Sequence, residues 1–291
     1  MKIALQFSGT YRNLNEILKF YTDLFKECDL DIFICLSNVF DYSTTKYDYK
    51  SNWMHPYVSP LHNNVAILNP TKMEAYLKTL YNFANIMIID TNNDNSNRTA
   101  LNDEKSILVC SYTHKRKKIL CNETRKEYER KNGVKYDIVI DARTDWIICN
   151  NDNLNIFGDG GLGYMTKKQW KQFGGVDEKF FLRNPLNKYT TDGLFELINN
   201  VNDTEDRVYA FDNKMDGIWN GFIFGNSKSM DIYFELDFSD LYKSSILTDC
   251  IHREDKRYLL KKNIEIVDLY KLNFNYIYWR CELYDYIKKL M

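Results

Sequence analysis

The sequence predicts an α/β protein, with a mostly parallel, buried sheet carrying helices on both faces. Two observations predict it. The runs KIALQFSG, LDIFICLS and YDIVID are apolar without the strict alternation of a half-exposed strand. Between such runs lie longer segments whose apolar residues recur at helical spacing, so strands and helices alternate.

In chain order, residues 2–9 read as a first buried strand closed by Gly9. Asn13 or Asn15 caps a helix whose apolar positions include Ile17, Leu18, Tyr21, Leu24 and Phe25. Residues 30–37 give the next strand, and 38–62 a polar, aromatic-rich loop. Residues 64–70 form a short strand, and Thr71 caps the helix that follows. NIMIID is a further strand, and TNNDNSNRTALNDEKS has loop composition. A long helix is expected over 106–131, with Gly133 just past its end, and then the strand of YDIVID. The second half is less regular: a Gly-rich turn FGDGGLGYM, a helix in TTDGLFELINNV, a strand in GFIFGNS and a helix from KSMDIYFELDF. It closes with REDKRYLLKKN, the strand-like IEIVDLY and a Tyr-rich terminal segment. No repeat or low-complexity linker divides the chain, so residues 1–291 read as one domain.

Composition bounds the function. Apolar residues are 44% and charged residues 27%, as in an ordinary globular protein. A net charge of -1 gives no global field toward nucleic acid or an anionic membrane. No run is apolar and long enough to be a membrane span, and the N-terminus lacks a secretory apolar region. Seven irregularly spaced cysteines without a CxxC pair point to reduced thiols and a cytoplasmic setting. The sequons at Asn97, Asn122 and Asn202 read as chance matches in an Asn-rich chain. The aromatic content of 15% suits ring-lined sugar sites as well as a compositional bias.

Three motifs carry chemistry. In YDIVIDARTDW the aliphatic run ends at once in Asp141, Arg143 and Asp145. Ligands of open α/β sheets gather at the carboxyl ends of strands. Spaced by two, these side chains point the same way if the chain stays extended. Converging carboxylates need a cation between them, either Arg143 or a hard divalent ion such as Mg²⁺ or Mn²⁺. The structural alternative is an Asp–Arg–Asp salt-bridge cluster. The second motif is SGTYRN: Ser8, Gly9 and Thr10 bring backbone N–H groups and hydroxyls to the sheet's ligand edge, and Arg12 adds a charge suited to a diphosphate. A plain strand-to-helix turn explains the same residues. The third is HKRKK, His114 to Lys118. Its residues project in different directions on a helix and read chiefly as a solvated face, with one of them able to reach a phosphate.

Taken together, SGTYRN after a first strand, DIFICLS, and RKEYERKNGVKYDIVIDARTDW resemble a group of GT-A-like glycosyltransferases found in bacteria and large DNA viruses. Asp141 stands where that group carries a first Arg, while Arg143 and Asp145 match its later pair. DGIWNGFIFGNSKSMDIYFEL resembles a later segment of the group, with Asn220 where an acid is often found, and HREDKRYLLKKNIEIV resembles the closing piece. The resemblance implies a Rossmann-type, mostly parallel sheet with a nucleotide-sugar site in about residues 1–150. It also implies an irregular α+β acceptor half in about 151–291. The expected function is transfer of a sugar, most simply from a UDP-sugar, to a glycan or other hydroxyl.

Roles follow from that chemistry. Charge building on the leaving diphosphate must be neutralised. Asp145, with Asp141, is the candidate metal pair for Mn²⁺ or Mg²⁺, and the resemblance implies a C-terminal His completing the shell, for which His252 is the candidate. Arg12 and Arg143 form the alternative metal-free clamp, and Ser8, Gly9, Thr10 and Lys115 join them around the nucleotide sugar. An inverting reaction needs a general base, for which Asp216 is the first candidate and Asp192 the second. Trp219 and Asn220 are expected at the acceptor. The rival readings are a nucleotide- or carbohydrate-binding module without catalysis, and a Mg²⁺-dependent nucleotidyltransferase. If the chain is viral, the host cytoplasm is its expected location.

Overall fold

The computed structural model describes residues 1–9, 11, 14–40, 66–67, 69–90, 103–144, 146–150, 191, 193–213, 217–236 and 251–278. Its centre is a seven-stranded sheet built from β1 (Lys2–Gly9), β2 (Asp29–Ser37), β5 (Ala84–Ile89), β6 (Ile138–Ala142), β8 (Arg207–Asn213), β9 (Gly217–Asn226) and β10 (Glu265–Asp268). The spatial order is β10-β8-β9-β6-β1-β2-β5. Only β9 runs against the other six; β1, β2, β5 and β6 are mutually parallel and β10 is parallel to β8. Two small antiparallel pairs stand apart: β3 (Val39–Phe40) with β4 (Ala66–Ile67), and β7 (Trp146–Asn150) with β11 (Phe274–Tyr278). The α/β class, with a mostly parallel central sheet between helices, is therefore the one the sequence predicts.

Helices cover both faces. α1 (Leu14–Leu24), α2 (Pro70–Leu80) and the short α4 (Leu194–Asn199) pack on one face, against Leu5, Phe7, Ile34, Ile140 and Phe222. The long α3 (Asp103–Asn132), α5 (Ser227–Glu235) and α6 (Ile251–Lys261) pack on the other, against Ala4, Phe33, Val139 and Ile223. Among the described residues no helix is long and apolar enough to cross a membrane.

Local signals explain most boundaries. Gly9 ends β1 with φ +135, a conformation that L side chains rarely adopt. Gly133, at φ +64, ends α3 as the sequence suggests. The cap of α2 is Asn69 and not Thr71: the Asn69 side chain accepts from the Lys72 N–H at 3.0 Å, and Pro70 opens the helix where no N–H is needed. Asn226 caps α5 through the Ser229 N–H, while its amide donates to the carbonyls of Asn202, Asp203 and Glu205. β8 was not anticipated; it and β10 extend the main sheet with residues of the second half. Asn122 is buried, and its side-chain oxygen accepts from Gln6 and Arg125, so its sequon has no accessible amide.

Candidate functional site

The parallel strands enter in an order that leaves one crevice. From β1 the chain winds outward to β2 and β5, and α3 then carries it back across the sheet to β6 on the other side of β1. The winding therefore reverses between β1 and β6, and the carboxyl ends of those two strands frame the place where ligands of open α/β sheets bind. Ser8 and Gly9 close β1 there. Opposite them β6 ends in Asp141 and Ala142, and the Arg143 N–H donates to the Gly221 carbonyl of β9 at 2.8 Å.

Polarity on the α3 side of the sheet changes along three neighbouring strands. Ala4 gives way to Gln6 and Ser8, Phe33 and Cys35 to Ser37, and Val139 to Asp141; all are buried. The opposite side stays apolar from Ile3 through Phe7 and from Ile138 through Ala142. Alternate residues of a strand share a face, so this gradient is visible in the sequence as polar residues at every second position of otherwise aliphatic runs.

α3 supplies the countercharges. The solvated-face reading of HKRKK is corrected: Lys115, Lys117 and Lys118 are buried and only Arg116 is exposed. Lys115 and Lys118, three apart, share one helix face and pair with different carboxylates. Lys115 Nζ donates to Asp255 Oδ1 of α6 at 2.8 Å and to the Tyr233 carbonyl at 2.9 Å, and sits 3.8 Å from the Tyr233 ring centre. Lys118 Nζ pairs with Asp141 Oδ2, both side chains 1% exposed. Burial pushes the Lys115 ammonium down while Asp255 holds it up, and burial pushes the Asp141 carboxyl up while Lys118 pulls it down. Lys117 turns to a third place, with Nζ 3.3 Å from Ser37 Oγ; that hydroxyl donates to the Gly9 carbonyl at 3.3 Å.

Two expectations change as a result. Lys115, expected at the nucleotide sugar, is enclosed by Asp255 and Tyr233. Asp141, expected as a metal ligand pointing the same way as Arg143 and Asp145, is the buried half of an ion pair. Lys118 holds one of its oxygens, and the other is enclosed without a hydrogen-bond partner. The extended run also stops early: β6 ends at Ala142, Thr144 is in a turn, and the next strand, β7, pairs with β11 in a separate sheet.

His252 lies in the first turn of α6, where the helix backbone presses on Gly217 of β9. A Cβ on Gly217 would come within 2.7 Å of the His252 carbonyl carbon. Its ring stands edge-on to Trp219 at 4.8 Å. Its Nδ1 is enclosed without a hydrogen-bond partner among the described residues. Burial lowers its pKa to about 4, despite the opposing Asp255 charge, and keeps the ring neutral at neutral pH. A neutral imidazole suits a metal ion chemically, but among the described residues no three His, Cys, Asp or Glu side chains converge to hold one. Thr10, Arg12, Asp145, Asp192 and Asp216 lie outside the described residues. Asn220 falls within β9, and its side chain lies outside them too. Sequence reasoning passed over Ser37, Tyr233 and Asp255 as site residues and took Lys117 and Lys118 chiefly for a solvated face.

No family model and no curated protein matches the chain. Among solved structures it is similar to the inositol-1-phosphate CTP transferase from T. maritima. The TM-score is 0.36 at 8% identity, with 100% of this chain and 94% of that one covered. Likeness of that size says nothing about activity.

Proposed function

We propose that the chain is a transferase acting on a nucleotide-linked substrate, and specifically a glycosyltransferase that moves a sugar from a nucleotide sugar, most simply a UDP-sugar, to a hydroxyl acceptor. The observation that carries the proposal is the crevice between β1 and β6, with Ser8 and Gly9 on one lip and Arg143 on the other. In this reading Ser8, Gly9, Thr10, Arg12 and Arg143 take the donor's diphosphate, and Trp219 and Asn220 meet the acceptor. Asp216, or Asp192 in its place, takes the acceptor's proton as the new glycosidic bond forms and the nucleoside diphosphate departs. A divalent ion, where used, has Asp145 as its first ligand and His252 as a second; it would supply charge neutralisation on the leaving group.

Nucleotidyl transfer is the second reading, because the same crevice and the same basic lip serve a nucleoside triphosphate equally well. A binding module without catalysis is the third. The three separate by product and by ligand. A thermal-shift screen with UDP, GDP and CMP, with and without Mn²⁺, identifies the nucleotide, since a ligand that binds only the folded state raises Tm. Release of UDP from a UDP-sugar marks glycosyl transfer. Release of pyrophosphate from a nucleoside triphosphate and a sugar phosphate marks nucleotidyl transfer. Binding without either product marks the module. Failure of all nucleotides to raise Tm rejects the proposal.

A further inference from the structure

We infer that the α3-facing side of the β1 and β2 carboxyl ends, lined by Ser8, Gly9, Ser37 and Lys117, is a phosphate subsite that takes its anion on fixed protein groups without a divalent ion. Three independent features meet there. The Ser8 hydroxyl is 2% exposed and has no hydrogen-bond partner. A buried hydroxyl left unpaired is costly, so one held at the carboxyl end of a strand calls for a ligand. Beside it, Gly9 adopts φ +135, and among the described residues beyond its chain neighbours no atom lies within 4 Å of where a Cβ would be, so the turn leaves open space there. From the other side Lys117 extends along α3 to place Nζ 3.3 Å from Ser37 Oγ, and that serine is tied to the Gly9 carbonyl. An ammonium, a donor hydroxyl seeking an acceptor and an uncrowded glycine turn together suit a phosphate oxygen cluster.

The metal-free part follows from Asp141. Among the described residues, Asp141, the carboxylate of β6 at this crevice, is already neutralised by Lys118 and shut away from solvent. It offers a divalent ion no free charge, and the clamp uses Ser8, Ser37 and Lys117 alone. The inference rests on the nucleotide reading only for the identity of the anion, which would be the donor's diphosphate.

Inorganic pyrophosphate is the direct probe, applied to the full chain in EDTA with sulfate at matched ionic strength as control, followed by thermal shift and calorimetric titration. Pyrophosphate is expected to bind in EDTA. Ser8→Ala and Lys117→Met are each expected to weaken it roughly ten-fold or more, and Lys117→Arg to retain most of it. Ser8→Ala removes a hydroxyl that bonds nothing, so this variant folds at least as well as the parent and keeps the test sharp if Lys117→Met does not fold. Absence of binding, binding that appears only with Mn²⁺, or binding undiminished in Ser8→Ala and Lys117→Met would overturn the inference. The two readings fail separately. Pyrophosphate binding without binding of UDP, GDP or CMP keeps the subsite and removes the nucleotide. Nucleotide binding of equal strength in parent and variants keeps the nucleotide and removes the subsite.

Discussion

α3 carries two buried ionic networks against the same face of the sheet, and they differ in how completely they are satisfied. Toward the helix C-terminus, Arg125 is fully buried yet bonded on every side: to Asn122 at 2.9 Å, Glu129 at 2.8 Å, Ser227 at 2.9 Å and Asp231. Glu129 and Asp231 are partly exposed, so this network opens to water at its rim. Toward the N-terminal half, Lys115, Lys118, Asp141 and Asp255 are shut in completely. Among the described residues, Asp141 Oδ1, Asp255 Oδ2 and the Tyr233 hydroxyl have no hydrogen-bond partner. The Arg125 network leaves the neutral Gln6 Oε1 unmatched, but its charged groups are paired, which needs only a structural explanation. A network that leaves carboxylate oxygens unmatched beneath a ligand edge is costly for stability alone, and is where function is to be sought.

Breaking each network separates them most sharply. Lys118→Met leaves Asp141 without its countercharge in the interior, and should cost about 3–5 kcal/mol in chemical denaturation. Adding Asp141→Leu to that variant should restore most of the loss, because an apolar pair of similar volume removes both desolvation penalties. Arg125→Met should cost about 2 kcal/mol, since Asp231 and Glu129 can rehydrate at the rim. Equal losses in the two single variants would erase the distinction between closed and open networks.

The closed network also anchors α6, because Asp255 ties that helix to Lys115 one turn beyond His252. The close approach at Gly217 is the second fixing point. Gly217→Ala would bring a methyl against the His252 and Arg253 backbone and should cost about 1–3 kcal/mol, read as a fall in denaturation midpoint. A loss confined to this size, with the neutral His252 ring preserved by NMR, would mean that Asp255 alone sets the helix. Loss of the neutral ring would mean that both contacts are needed.

Much of the frame was legible, because it rests on local signals. Buried parallel strands write themselves as aliphatic runs, and Gly9 and Gly133 mark ends that demand positive φ. β8 was missed because RVYAFDN mixes aromatics with charge and takes its place only through β9 and β10. The site was less legible for a different reason. Charge on a helix is read by default as solvated, and HKRKK overturned that default because Asp141 and Asp255, distant in sequence by 23 and 140 residues from their lysines, lie opposite. Likewise, the alternation of Asp141 with Arg143 and Asp145 promised a common direction only while the strand continued, and it ends at Ala142. The usable signal was subtler: Gln6 and Ser8, and Ser37 after Cys35, each two apart on one buried face.

The smallest effect is the most specific. His252 has a folded pKa of about 4, below the ordinary value of 6.5, because burial disfavours its charged form. Between those values the unfolded chain binds a proton that the folded chain does not. Stability is therefore fully present above about 6.5 and declines as pH falls toward 4. From about pH 7 to about pH 5 the loss should be about 1–2 kcal/mol. Asp141 acts in the opposite sense: its carboxyl is raised by burial, so ionising it on the way up from acid lowers stability and partly masks the histidine. Measuring denaturation midpoints across this range in the parent and in His252→Asn separates the two, since only the histidine part should vanish in the variant. An unchanged slope in His252→Asn would mean that the ring is already hydrated, and that the first turn of α6 belongs with the open network rather than the closed one.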